Sequence, residues 1–458
     1  MPSLGLAMIV KDGANTLRNC IASVAGVTDR IVIADTGSSD GTSQLARELG
    51  AEVFDFPWQD DFAQARNAAA RALSTDWVLV MDDDEELDSE ARARIPSLLE
   101  NVTVGGYLVT HRNYVPVKFG SGGHAPSIRP TDSTNPRAER ARGYADFAIC
   151  RLFRHHPGIY YVGRVHEHVE PRIHALGLTL SVANIVIHHF GHLCSPAELH
   201  AKNEFYRRLG RLKVKDTPND PEAWVELGLQ EYEQFKNYSA GIECFKKALD
   251  LNPRFASVPC LSLANLYVEI QSEERALELL SRTAMSGRAA GEKERICGDA
   301  FYNLGRFKDA RSAYLRASQI LSEDARVASK LGLTEVPLGL KKNGLARLTK
   351  ALRANPDEFE MHDRLIKAYI LADMMPQAAE AAERAALEMP SSAIILRAAS
   401  IRAQMQNWNA AEETIVRGLQ LFPQNQALLN AKAELERQVT PVCATMQPSG
   451  NVRGSSLL

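Results

Sequence analysis

Trp77 to Glu86 read WVLVMDDDEE, an apolar run of five residues ending in five consecutive acids. A short apolar run bounded by polar residues reads as a buried strand, and the acids then emerge at its carboxyl end. In open α/β sheets that edge is where ligands bind. Neighbouring carboxylates repel by about 1 kcal/mol per pair at ~4 Å in water, and by more where solvent is excluded. A divalent cation would relieve that repulsion, and Asp and Glu supply the hard oxygen ligands that Mg²⁺ and Mn²⁺ prefer. The competing reading is a solvated acidic loop, with Asp88 capping a helix that follows at Ser89.

Upstream, the pattern alternates. Leu4 to Val10 is a short apolar strand, and Leu17, Cys20, Ile21 and Val24 recur at helical spacing after it. RIVIAD at Arg30 to Asp35 is a second strand, TGSSDGT a turn and helix cap, and Gly50 stops the helix that carries Leu45 and Leu49. Ala51 to Phe56 forms a third strand, and Phe62, Ala65, Ala69 and Leu73 mark a third helix before the strand of the opening stretch. That order predicts a largely parallel, doubly wound sheet with right-handed crossovers. From Val102 to about Leu199 the pattern loosens into β-like pieces, YLVTHRNYVPV, FAICRLF and NIVIHH. Between them a Gly-, Ser-, Pro- and Arg-rich span from Gly120 to Gly143 reads as a mobile loop able to close over a substrate.

Beyond Pro218 the chain reads as helices only. Pro221, Pro253, Pro356, Pro390 and Pro423 are separated by 32, 103, 34 and 33 residues, the period of a tetratricopeptide repeat (TPR). Trp224, Leu227, Gly228, Tyr232, Ala240, Phe245, Ala248 and Pro253 fall on its packing positions, and later units keep parts of the set, with the second to fourth irregular. The domain plan is therefore residues 1–200, a helical linker at 201–220, about six helix pairs at 221–437, and a disordered tail at 438–458 rich in Ser, Gly, Pro and Gln. Stacked pairs form a groove suited to a peptide or protein. They can equally serve only to hold the chain together or to make it a homo-oligomer.

The whole is 458 residues long, room for roughly two to four domains. Its 53 basic and 56 acidic residues leave a net charge of −3, so no global field points to nucleic acid or an anionic membrane. Seven widely spaced cysteines without a CxxC pair suit a reducing cytoplasm, and neither a signal peptide nor a transmembrane segment is expected.

Four pieces in one order carry a resemblance: AMIVKDGANTLRNCIASV, IVIADTGSSDGT, FPWQDDFAQARNAA and WVLVMDDDEEL. With them the first 100 residues resemble the family 2 glycosyltransferases of the GT-A fold, in particular bacterial members with TPRs. CRLFR at Cys150, GRVHE at Gly163 and HHFGH at His188 extend it to about residue 195. The resemblance implies an α/β nucleotide-diphospho-sugar transferase (a Rossmann-like GT-A sheet) followed by an all-α TPR solenoid. It also implies a metal-dependent inverting transfer from a nucleotide sugar, a UDP-sugar being the first expectation, to an acceptor that the repeats would present. The rivals are a scaffold with an inactive transferase-like domain, against which Asp82 and Asp84 speak, and a nucleotidyltransferase, whose Gly-rich basic loop KDGANT lacks.

Residue by residue, the resemblance places the D-x-D pair on Asp82 and Asp84, with Asp84 on Mn²⁺ or Mg²⁺ and Asp82 on the ribose or the metal's water. His189 is implied as a further metal ligand. Asp35 is implied at the donor base or ribose, with capping of its own turn through Gly37 as the alternative. Arg66 and Asn67 are implied as donor contacts; Arg66 falls on or beside an apolar helix stripe and needs a partner, such as Asp35. Glu167 is the candidate general base, with pairing to Arg164 as its alternative and Asp146 or Glu170 as substitutes. Nine of the twelve histidines lie between His155 and His200, which raises a zinc site from His166, His168, His189 and His192 as a further reading. Asp83, Glu85 and Glu86 are expected to tune the field or to open the next helix.

Overall fold

The computed structural model describes residues 1–115, 136–141, 143–252, 257–356 and 358–439. The expected loop at 120–143 and the tail at 438–458 fall almost wholly outside these residues; within the loop span, Pro136–Arg140 forms a 3₁₀ turn. Two compact units divide the chain, Met1–Leu263 and Ala264–Leu458.

In the first unit, β1 (Leu4–Val10), α1 (Leu17–Ser23), β2 (Arg30–Asp35), α2 (Thr42–Glu48), β3 (Glu52–Asp55), α3 (Phe62–Ala72) and β4 (Trp77–Val80) alternate as the apolar periods dictate. The strands lie in the order β3-β2-β1-β4, all parallel. Every residue of β1 and of β4 is buried, as a parallel sheet covered on both faces requires. Alternation along each strand feeds two cores. Leu6, Met8, Ile33, Trp77 and Leu79 pack with Leu17 and Cys20 of α1. Ala7, Ile9, Val32, Ala34, Val78 and Val80 pack with Ala65 and Ala69 of α3. Fully burying a side chain of the Leu, Met or Ile class contributes roughly 1.5–3 kcal/mol, so this layer dominates the unit's stability.

The parallel pattern stops at β4. After it come β5 (Glu85–Leu87), α4 (Ala91–Leu99), β6 (Val104–Val115), β7 (Gly143–Arg154), α5 (Glu170–Ala175) and β8 (Thr179–His189). The full order is β3-β2-β1-β4-β7-β6-β8-β5. β7 runs antiparallel to both β4 and β6, β6 is parallel to β8, and β5 is antiparallel to β8. The expected largely parallel sheet is thus a mixed one. β5 also corrects the expectation that Glu85 and Glu86 open a helix: they lie in a strand, opposite His189 and His188.

The segment expected as a linker belongs to α6 (Pro196–Asp216), 21 residues begun by a reciprocal Ser195–Glu198 capping box with Pro196 in the first turn. Phe205 and Tyr206 bring it onto Trp58 and Phe62, with ring centroids 5.9–6.1 Å apart. Lys213 Nζ donates to the Val165 carbonyl at 2.9 Å, and Arg208 forks onto Asp60 at 2.6 Å. α6 is therefore packed against α3 and the loops at Asp60 and Val165 rather than spanning open space.

Helical hairpins follow: α7 (Pro221–Leu229), which runs into a π turn at Gln230–Gln234, with α8 (Tyr238–Leu251); α9 (Ser257–Glu269) with α10 (Glu273–Ser281); α11 (Gly287–Asn303) with α12 (Phe307–Ile320); α13 (Ala325–Glu335) with α14 (Lys341–Ala354); α15 (Phe359–Leu371) with α16 (Met375–Glu388); and α17 (Ser392–Gln404) with α18 (Trp408–Leu421), before a last helix α19 (Gln426–Val439). Each hairpin turns through one residue of positive φ: Lys236, Gln271, Gly305, Gly339, Asp373 and Gln406. Their steps of 35, 34, 34, 34 and 33 residues restore the repeat in the pairs whose side chains looked irregular. A left-handed residue costs a non-glycine chain only about 1–2 kcal/mol, so different residue types serve the same turn. No helix among the described residues is long and apolar enough to cross a membrane.

Candidate active site

Strand order reverses at β1, which has β2 on one side and β4 on the other, and the carboxyl ends of these three strands frame the site. The loops after β1 and β2 are tied together: Asp12 Oδ1 accepts from Ser39 N at 2.8 Å, and Asp40 Oδ2 from Ala14 N at 3.0 Å. Asp35 holds the second of these loops. Its Oδ1 accepts from Gly37 N at 2.9 Å and Ser38 N at 2.7 Å, and its Oδ2 from the Ser43 hydroxyl. Burial opposes its charge, but these hydrogen bonds hold its carboxyl below the usual range. The structure thus shows Asp35 in the capping role that was the alternative to donor contact.

After Val80 the acidic run leaves the sheet and turns. Glu85 N donates to the Asp82 carbonyl at 3.1 Å, so Asp82, Asp83 and Asp84 stand on a turn between β4 and β5 instead of alternating along a strand. Each has a different partner. Asp82 is paired with Arg66, Nη1 to Oδ1 at 2.8 Å and Nη2 to Oδ2 at 3.0 Å, and with Arg151 Nη2 at 3.3 Å. The first of these Arg66 contacts is an ion pair without hydrogen-bond alignment, which leaves Nη1 buried and short of an aligned acceptor. Burial alone would raise the Asp82 carboxyl; Arg66 and then Arg151 outweigh it and hold it far below the usual range. Asp83 accepts from the Thr16 hydroxyl, and burial followed by the charge of Asp84 pushes it up to about 6. Asp84 Oδ2 lies 3.5 Å from His189 Nε2. Burial again works against ionisation, and His189 reverses it, so Asp84 titrates low and His189 high.

Arg66 sits on α3, 6% exposed, with Nε 2.5 Å from Glu167 Oε1. Its partners are therefore Asp82 and Glu167, and not Asp35 as expected. Glu167 is likewise not paired with Arg164, which forks instead onto Asp216 with Nε at 2.8 Å. Asn67 is also engaged. Its Nδ2 donates to the Tyr161 carbonyl at 2.9 Å and its Oδ1 accepts from Tyr161 N at 2.7 Å, so both ends of the amide clamp a neighbouring backbone.

The histidines divide. His189 faces the acids, while His188, one residue away and on the other side of β8, meets the Tyr114 hydroxyl at 3.0 Å. His192 packs edge-on to His189 at 5.2 Å and is pushed down to about 4 by burial and then by that neighbour's charge. His166 instead stacks on Tyr206. Among the described residues no three His, Cys, Asp or Glu side chains are grouped to enclose a metal, so the zinc quartet is not assembled. The donor set that does form is Asp84 with His189 beside a surplus of negative charge. It fits a hard cation completed by water and phosphate oxygens better than a protein-enclosed zinc.

One residue escaped the sequence reading, and another, Glu85, was named there without its partners. Arg151, within CRLFR on β7, reaches Asp82 and Glu85, both at 3.3 Å. Glu85 is fully buried; its Oε2 accepts from Asp82 N at 2.9 Å and its Oε1 meets His111 Nε2 at 2.7 Å. Gly191 explains the small residue in HHFGH: a Cβ there would collide with Asp84 Oδ2 and stand 2.6 Å from His189 Nε2. A cavity of about 520 Å³ lies elsewhere, lined by Asn67, Arg71, Tyr161, Arg164, Lys213 and Asp216 and by none of the acids on the turn. It is no guide to the chemistry of those acids.

A mixed α/β sheet bearing an acidic turn at its strand-order reversal, followed by helical repeats, is the architecture expected of a GT-A-type domain followed by a repeat region. Residues 6–156 match the sequence model of Glycosyl transferase family 2, whose GT-A fold this sheet fits, and residues 221–255 match a Tetratricopeptide repeat. The chain therefore carries a family 2 glycosyltransferase domain followed by tetratricopeptide repeats. It is 31% identical over 234 residues to a TPR repeat-containing protein of Synechococcus elongatus, covering 50% of this chain and 52% of that one. An uncharacterized glycosyltransferase of Rickettsia prowazekii is 32% identical over 108 residues, 24% of this chain and 37% of its own length. The SPbeta prophage-derived glycosyltransferase SunS of Bacillus subtilis is 20% identical over 267 residues, 56% of this chain and 55% of its own. The chain thus spans about half or less of the length of these relatives.

Proposed function

We propose that this protein transfers a sugar from a nucleotide-diphosphate donor, with inversion, to a protein or peptide acceptor that engages the repeats. The observation that carries the reading is the uneven charge at the turn after β4. Asp82, Glu85 and Glu167 pair with two arginines, Arg66 and Arg151, while Asp83 and Asp84 on the same turn meet Thr16 and His189 instead. Such an excess is costly in a protein interior unless a cation completes it. Asp84 and His189 would hold Mn²⁺ or Mg²⁺, which supplies positive charge to the departing diphosphate. Arg66 fixes Asp82 and Glu167 relative to each other, so the carboxylate facing the donor and the one facing the acceptor are positioned by one guanidinium. Glu167 would accept the acceptor's proton through its second oxygen while Oε1 stays on Arg66. Asp35 and Asn67 act by shape, holding the β2 turn and the Tyr161 backbone.

A panel of nucleotide sugars, UDP-sugars first, tests the reading by release of nucleoside diphosphate from the full chain with Mn²⁺ or Mg²⁺. Metal-dependent release that disappears in Asp84→Ala is the expected result. No turnover of any donor with metal, or an Asp84→Ala variant as active as the parent, would sink it.

A further inference from the structure

His189 reaches Asp84 with one ring nitrogen, and its other nitrogen is already committed. Nδ1 lies 2.5 Å from Asn113 Oδ1 on β6. At the far end of that amide, Nδ2 lies 3.1 Å from His111 Nδ1 and 3.4 Å from the His111 carbonyl. His111 Nε2 in turn meets Glu85 Oε1 at 2.7 Å. The two imidazoles stack with centroids 4.9 Å apart, and Glu85, His111 and Asn113 are all buried. Glu85 begins β5 directly after Asp84, and its other oxygen accepts from Asp82 N, so the chain of bonds starts and ends at the acidic turn.

The direction of each bond follows from what each atom can do. A backbone carbonyl only accepts, so the amide atom beside the His111 carbonyl is the NH₂, and Oδ1 is the atom that faces His189. Oδ1 only accepts, so His189 Nδ1 carries a proton and donates it. The NH₂ only donates, so His111 Nδ1 is bare. A neutral His111 then carries its proton on Nε2 and gives it to Glu85, a buried carboxylate that Arg151 also holds. Neutral His189 is left with its lone pair on Nε2, the nitrogen 3.5 Å from Asp84.

We propose that Asn113 is a positioning residue that, anchored through His111 to Glu85, locks His189 in the Nδ1–H tautomer and aims its Nε2 lone pair, beside the Asp84 carboxylate, at a divalent cation. This rests on the reading that Asp84 and His189 hold that cation. Fixing the tautomer of a ligating histidine through its second nitrogen is worth about 10–100-fold in metal affinity. Loss of the Asn113 amide leaves the Asp84 carboxylate beside Nε2, which favours a proton on that nitrogen, and the Nε2–H tautomer that then competes cannot ligate.

The test combines two measurements on the full chain. Titration with Mn²⁺ alone, followed by the electron paramagnetic resonance of the free ion, gives the affinity of the parent and of Asn113→Leu, Asn113→Asp and Asp84→Ala. Nitrogen-15 spectra of the histidine rings in the metal-free parent, assigned with His189→Gln, give the tautomer directly and require no variant at Asn113 to fold. The expected result is a His189 ring protonated on Nδ1 when neutral, a 10–100-fold weaker Mn²⁺ affinity in Asn113→Leu, and an affinity within a few-fold of the parent in Asn113→Asp, which keeps the acceptor oxygen. A His189 ring protonated on Nε2, or an Asn113→Leu variant that binds Mn²⁺ as tightly as the parent while Asp84→Ala does not, overturns the proposal and leaves the metal reading standing. A parent that binds no Mn²⁺ overturns both.

Discussion

Each of the two units buries a charged cluster, and the two are built differently. In the second unit Arg295 pairs with Glu292 at 2.7 Å and Asp299 at 2.8 Å, Lys330 with Asp299 at 2.6 Å, and Arg326 with Asp324 at 2.6 Å, while the Tyr314 hydroxyl also donates to Asp299 at 2.6 Å. Three cations meet three acids, and the bonds tie α11, α12 and α13 to one another. In the first unit three carboxylates, Asp82, Glu85 and Glu167, pair with two arginines, and two more, Asp83 and Asp84, stand on the same turn with Thr16 and His189 as their partners. A balanced buried network needs nothing further, whereas a surplus of one sign marks a place where a ligand completes the charge. Burial and ion pairing are common to both, so neither by itself separates structure from function; the charge balance does.

That contrast can be broken most strongly at Arg66. Arg66→Met leaves Asp82 with Arg151 alone and takes from Glu167 its arginine, and should cost about 3–5 kcal/mol in urea unfolding of the first unit, the range for removing one partner of a buried pair. Mn²⁺ should not restore it, since the cation would be held by Asp84 and His189 and not by Glu167. Next in size is Gly191→Ala, whose Cβ would displace Asp84 and His189 from each other. Turnover should fall by about 10²-fold, the effect of a roughly 1 Å misplacement, with far-ultraviolet circular dichroism unchanged. Unaltered turnover would show that the Asp84–His189 contact is dispensable.

The balanced cluster makes its own prediction. Burial pushes Lys330 down to about 8, below its unfolded value of about 10.4. The folded state therefore releases this proton first, the unfolded chain binds more protons between those two values, and stability rises with pH across that window relative to Lys330→Met. The slope has an upper limit of about 1.4 kcal/mol per pH unit, and is shallower here because 23% of the side chain remains exposed. A difference that does not change between pH 8 and 10 would mean that Asp299 compensates Lys330 fully. Smallest of all should be Arg208→Ala. This exposed fork onto Asp60 should contribute no more than about 1 kcal/mol, because the rings of Trp58, Phe62, Phe205 and Tyr206 hold α6 in place.

What could be read in advance follows the range of the forces involved. The β1 to β4 alternation and the 34-residue period are local patterns, and both were legible; the resemblance named Asp84 and His189 only as metal ligands, and their direct contact at 3.5 Å comes from the fold. Arg66 was legible as a buried cation but not its partners, because Glu167 lies 101 residues away and only the fold brings it to 2.5 Å. Asn67 belongs to a motif of the resemblance, while its hold on the Tyr161 backbone, 94 residues away, is announced by no local pattern. Arg151 and Asn113 lie on strands where one residue's register decides whether a side chain faces the acids. The regular turns of the repeats were hidden because a positive φ is held by Lys236, Gln271, Asp373 and Gln406 as well as by glycines.

The charge surplus is most directly tested by calorimetric titration of nucleoside diphosphates into the full chain, once with Mn²⁺ and once with EDTA. If the acids after β4 form a cation-dependent diphosphate site, at least one diphosphate binds in Mn²⁺ and loses tenfold or more in EDTA, and Asp84→Ala abolishes the difference. Binding of equal strength in Mn²⁺ and EDTA, or a metal dependence that survives Asp84→Ala, would contradict the assignment.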